Sequence, residues 1–170
     1  MKRRWLWLAI FALCTLACFS PIISASLWHL RNGNTVVYDG RQVHVPFFWT
    51  ADADTGSVHT LRVSYQSMDR MGTNIGRPQI GALFFHFQQQ AGRLNAGVDF
   101  HKLGLTVTGP THISTLTGDA LCYEGTDATQ PNNLEVACSS TAGGWDSFFD
   151  GDRRLASQAE GIVRSMTSVH

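Results

Sequence analysis

Histidine is the side chain most ready to move a proton or hold a metal near neutral pH. This chain has seven: His29, His44, His59, His86, His101, His112 and His170. No two stand at the i, i+4 spacing with which one helix face presents a pair of metal ligands. Pairing between strands is the remaining way to gather them, and His44, His59 and His86 each lie in or beside a segment of strand character. The stretch Asp52-Ala53-Asp54-Thr55-Gly56-Ser57 begins like a calcium loop. Such loops close with a bidentate glutamate at position 12, which here is Val63, so the stretch reads as a polar connection between strands. Asp146, Asp150 and Asp152 form a second acidic group, better explained by capping of a following helix than by catalysis. The sequence contains no G-x-S-x-G, H-E-x-x-H, P-loop or G-x-G-x-x-G pattern. The expected catalytic, cofactor-binding and metal-ligating residues are therefore none.

Aromatic residues offer the one hint of a binding surface. Phe47, Phe48 and Trp49 are consecutive, so an extended segment cannot turn all three toward one core. Trp145 follows Gly143-Gly144 and precedes Phe148-Phe149 in a second such cluster. Phe48, Trp49 and Trp145 are the candidate binding surface, set against burial of all of them by helix and loops.

Four cysteines divide by context. Cys14 and Cys18 fall in an apolar run, where a thiol behaves as a small apolar group. Cys122 and Cys138 remain. They flank two strand-like segments separated by residues 125–133, a stretch dense in turn formers. Antiparallel pairing about Gln130 sets Cys122 opposite Cys138, because both are equidistant from that centre. The expectation is a structural disulfide between them, favoured by an oxidising compartment.

That compartment is suggested by the start of the chain. Lys2, Arg3 and Arg4 precede an uncharged stretch over residues 5–26, the pattern of an export segment. Two outcomes compete: a signal peptide that ends its apolar helix at Ser20-Pro21 and is cleaved after Ala25, or a retained transmembrane anchor of about 20 residues. A third is lipidation at Cys18, where Thr15-Leu16-Ala17-Cys18 faintly resembles a lipobox. All three place residues 27–170 beyond the cytoplasmic membrane, either periplasmic or secreted, or held by one N-terminal helix. The membrane is then a partner through the N-terminal segment if it stays uncleaved.

Composition bounds the remainder. With 44% hydrophobic residues, 16 Gly and 5 Pro among 170, a packed domain is expected rather than disorder or a collagen-like chain. Thirteen basic residues balance thirteen acidic ones. Setting aside Lys2, Arg3 and Arg4 leaves ten against thirteen, a charge of −3 that argues against nucleic acid. The expected organisation is an export segment over residues 1–26 and one exported domain over 27–170.

The elements that must position these residues are mostly strands. Asp39-Gly40 between Thr35–Tyr38 and a segment 41–45 is a hairpin signal, with Val43, Val45 and Phe47 on one face and Gln42 and His44 on the other. Residues 60–65 alternate, with Leu61, Val63 and Tyr65 inward; residues 83–87 are apolar on both faces apart from His86 and read as a central strand. Residues 68–81 form a glycine-rich connection, and residues 105–108 offer a further strand. Leu155, Ala159, Ile162, Val163 and Met166 then share one helical face, with Asp150 as the expected N-cap and Gly161 as the expected point of close approach. The predicted fold is α+β: an antiparallel sheet with a C-terminal amphipathic helix packed across it, preceded by an N-terminal hydrophobic helix.

The hairpin leading into Val45-Pro46-Phe47-Phe48-Trp49, the later strands, and Phe148-Phe149-Asp150-Gly151 before an amphipathic helix resemble small exported domains of the PsbP-like kind. That resemblance implies an envelope-associated module of binding or assembly type, with an envelope protein or a small ligand as partner and no catalysis. The alternative is a small periplasmic or secreted hydrolase with its site near the 68–81 loop.

Overall fold

Asp39 and Gly40 take φ angles of 49° and 70°, the left-handed pair that a tight two-residue turn demands and that Asp-Gly adopts readily. The turn joins β1 (Thr35–Tyr38) to β2 (Arg41–His44), as expected from the sequence. The structure, a computed structural model, describes residues 2–54, 60–66, 81–87 and 96–169. A short β10 (Thr167–Ser168) returns to pair with β2, giving a three-stranded antiparallel sheet. Val43 and Val45 are buried in the core, but Phe47 turns outward rather than continuing their face.

The second sheet has seven antiparallel strands: β3 (Trp49–Asp54), β4 (Thr60–Tyr65), β5 (Gly81–His86), β6 (Thr106–Thr115), β7 (Gly118–Thr126), β8 (Asn133–Ser140) and β9 (Trp145–Asp152). Their order across the sheet is β3-β4-β5-β9-β8-β7-β6. β9 is inserted beside β5, so the meander β6 to β9 closes onto the earlier strands. Leu61 and Val63 of β4 and Leu83 and Phe85 of β5 are buried, as their alternation requires, whereas Tyr65 is only half-buried.

This architecture corrects the α+β expectation. Among the described residues the elements are mostly strands, ten against three α-helices, and the strands form two sheets rather than one. A C-terminal helix does pack on the sheet: α3 (Ala156–Arg164) follows a 3-10 turn at Arg153–Leu155 and buries Ala159, Ile162 and Val163, with Leu155 and Met166 at its ends. The cap is Asp152, whose carboxylate accepts from the Arg154 amide at 2.9 Å; Asp150 instead accepts from Asn133 Nδ2. Gly161 is exposed with no neighbouring atom near its Cα, so it marks no close approach.

The other face of the seven-stranded sheet carries α2 (Ala96–Lys102), which the sequence reading did not contain. Phe100 packs there with Ala137, Tyr123 and Phe148 in a second, smaller core. Gly125 makes room for it: a Cβ at that position would lie 3.0 Å from Phe100 Cδ2 and 2.9 Å from Leu105 Cδ1.

The N-terminal helix differs most from expectation. α1 runs from Lys2 to Asn32, straight through Pro21 and across the expected boundary at residue 26. Among the described residues no helix is long and apolar enough to cross a membrane, which removes the expected hydrophobic spanning helix from the fold. Instead, the last turns of α1 belong to the folded body, because Pro21 and Ala25 are buried and Trp28 packs against the main core.

Candidate functional site

Where α1 ends, its side chains meet the β2–β3 connection and the edge strand β3. Trp28 Nε1 donates to the Ala51 carbonyl at 3.0 Å. The His29 ring has Nε2 at 3.2 Å from both the Pro46 and Trp49 carbonyls and Nδ1 at 2.9 Å from the Gly33 carbonyl. The ring thus sets the helix end against the backbone carbonyls of the β2–β3 connection. Above it, Phe47 stacks on His29 with centroids 5.6 Å apart, Phe48 meets Phe47 edge-on at 5.2 Å, and Tyr65 continues the row toward Trp49. Such pairs stabilise by about 0.5–1.5 kcal/mol beyond their buried area. The row runs from solvent to core. An open groove beside it is lined by Leu27, Trp28, Arg31, Thr50 and Asp52.

Of the three candidate surface residues, only Phe48 lies at the surface. Trp49 and Trp145 are fully buried, which corrects their placement. Each indole still finds an acceptor at the margin of the core: Trp49 Nε1 donates to Gln158 Oε1 of α3 at 2.9 Å, and Trp145 Nε1 to Thr117 Oγ1 at 3.0 Å. A buried indole needs such a partner, and a distant glutamine or threonine supplies it. In the sequence His29 stands among the histidines and Tyr65 among the inward residues, but nothing there joins either of them, or Trp28, to the Phe47–Phe48 cluster, because their meeting depends on where α1 packs.

The disulfide is where it was expected. Cys122 and Cys138 are register partners on β7 and β8, with Cα atoms 4.0 Å apart, and the bond between them is formed. It floors a cavity of about 80 Å³ beneath α3, with Leu83, Val136, Phe149 and Val163 as apolar walls and Glu124 and Glu160 as its carboxylates. That volume is well below the roughly 300 Å³ at which ligand pockets usually begin, and holds only two or three waters at about 30 Å³ each.

Among the described residues, the remaining chemistry-bearing side chains do not converge. His44 is exposed on the three-stranded sheet and His86 is half-buried on the other; His59 and residues 68–80 of the expected 68–81 loop lie outside the described residues. Among the described residues no three His, Cys, Asp or Glu side chains are grouped to hold a metal. Asp52 and Asp54 belong to strand β3, in register with Arg62 and Thr60, rather than to a loop. Glu135 is directly opposite Asp150 across β8 and β9. Its carboxyl is held above the ordinary range, first by partial burial and then by the charges of Asp150 and Asp127. Asp152 is held below it by the Arg154 guanidinium, and Asp127 by the amide and hydroxyl of Thr129.

Compared with models of known protein families and with curated proteins, the chain matches none. The comparisons bear neither for nor against the PsbP-like resemblance.

Proposed function

We propose that this chain is an exported, envelope-associated domain of binding or assembly type, held at a membrane through α1 and acting on an envelope protein or small ligand rather than catalysing a reaction. The observation that carries the reading is the junction of α1 with the folded body. Trp28 donates to the Ala51 carbonyl and the His29 ring lies against the Pro46 and Trp49 carbonyls, so the end of the helix that holds the export-like residues packs on the domain. A formed disulfide hints at an oxidising environment, which favours export. An N-terminal segment that directs export and then stays packed on the domain accounts for both features. The binding or assembly part rests on the PsbP-like resemblance, and the aromatic row at Phe47 and Phe48 is a surface suited to it.

Cell fractionation with N-terminal sequencing tests this. The expected result is chain beginning at Met1 in the membrane fraction, with Cys122 and Cys138 blocked to alkylation until reduction. A new N-terminus at Ser26 in a soluble exported fraction would overturn retention and leave export standing. Chain in the cytoplasm with both thiols free would overturn the reading altogether.

A further inference from the structure

The last third of α1 has two opposite faces, and both are apolar. At 100° per residue, Pro21, Ala25 and Trp28 fall within about 60° of one another, and this is the face turned to the domain. Phe19, Ile23, Leu27 and Leu30 fall within about 80° on the other side. All four are exposed, at 49%, 40%, 61% and 85%. A helix lying on a soluble domain normally turns charged or polar residues outward. Here the outward stripe is apolar over about 17 Å of helix, taking 1.5 Å per residue, and no Asp, Glu, Lys or Arg stands between Arg4 and Arg31. Toward the N-terminus the exposure of large apolar side chains continues, at Phe11, Leu8, Trp7 and Trp5. At the other end Phe47, 47% exposed, stacks on His29 and extends the apolar surface onto the domain.

We infer that the C-terminal third of α1 lies in the plane of a phospholipid bilayer interface, with Phe19, Ile23, Leu27 and Leu30 facing the acyl chains and the domain resting on the helix's opposite side. The inference rests on the membrane tether proposed above and specifies its geometry. A bilayer rather than a protein groove is the occupant because the stretch without Asp, Glu, Lys or Arg runs from Trp5 to Leu30, well past the stripe, instead of ending where a partner's groove would. Interfacial helices bury an apolar face by about 5–10 Å at the headgroup boundary, and a stripe of this length fits in-plane insertion. With a charge of −3 outside Lys2, Arg3 and Arg4, the seating is driven by apolar partition, so neutral lipid suffices and added salt does not release it.

The full chain with phosphatidylcholine vesicles provides the test. An environment-sensitive fluorophore is attached in turn at the native Cys14 thiol, which is exposed on α1, at Leu30→Cys, and at Leu116→Cys on the far hairpin between β6 and β7; other free thiols are replaced by serine. The inference expects vesicles to shift the position 30 emission to the blue and to reduce its quenching by aqueous iodide several-fold, with position 116 unchanged. Leu27→Ser/Leu30→Ser, at exposed positions, is expected to weaken vesicle association several-fold while leaving the thermal unfolding temperature in place. If position 14 is protected and position 30 stays open to iodide, the tether stands and the in-plane seating falls. If no position responds and the chain self-associates instead, a second copy covers the stripe, and both the tether and the seating fall.

Discussion

At the scale of single residues, Glu135 shows how sheet register sets a charge. Its partner across β8 and β9 is Asp150, and like charges directly opposed in a sheet destabilise it. Because the folded state holds the Glu135 proton more tightly than the unfolded chain, folding stability falls as pH rises from the ordinary value of 4.5 through the raised one, and stays lower above it. Asp127 and Asp152 act in the other direction. Their lowered carboxyls contribute stability above the ordinary 3.8 that is lost as pH falls through the folded values. Glu135→Gln is therefore expected to raise stability at neutral pH by about 0.5 kcal/mol or less, given its solvent screening, and to make no difference below pH 4.5. Urea midpoints against pH for both proteins check this; an unchanged midpoint at pH 7 would contradict it.

At the scale of elements, the glycine at 125 decides whether α2 can lie on β7. Adding a methyl group pushes into the Phe100 ring and Leu105, and overpacking of this kind costs about 1–3 kcal/mol. Gly125→Ala is expected to lose that much in chemical denaturation, and amides of α2 are expected to exchange faster while those of α3, on the opposite face of the sheet, keep their protection. Equal loss of protection on both faces would show that α2 is not a separable unit. Gly161→Ala provides the contrast. With nothing near that position and a helical backbone, it is expected to stabilise α3 by up to about 1 kcal/mol.

At the scale of the whole molecule, one main core takes residues from both sheets and from α3, from Val43 to Trp145 and Ile162. Trp49 and Trp145 sit in it and report on the edge strand β3 and the central strand β9 of the large sheet. Tryptophan fluorescence and far-ultraviolet circular dichroism are thus expected to follow one cooperative unfolding transition. The disulfide ties β7 to β8 across a sequence separation of 16. In the loop-entropy account, Cys122→Ala/Cys138→Ala lowers stability by about 3 kcal/mol without changing the order of strands. A loss near zero would mean that the turn at residues 127–132 already restrains the unfolded chain.

Local pattern in the sequence determined the Asp39-Gly40 hairpin, strands β4 and β5, the buried face of α3 and the Cys122–Cys138 pair. Each depends on neighbours within a few residues or on one turn, where turn chemistry and side-chain period act directly. Tertiary structure alone decided what was not local. β9 entered the sheet between β5 and β8, the strands divided into two sheets, and Trp49 and Trp145 left the surface, with Gln158 and Thr117 at the core margin as acceptors for their indoles. It also carried α1 past Pro21 and residue 26 into the domain, because Trp28 and His29 found carbonyl partners on residues 17 to 23 positions away. Hydrogen-bond partners and sheet neighbours at such separations leave no periodic trace in the chain, so the apolar stripe facing away from the domain became visible only once the buried face of α1 was known.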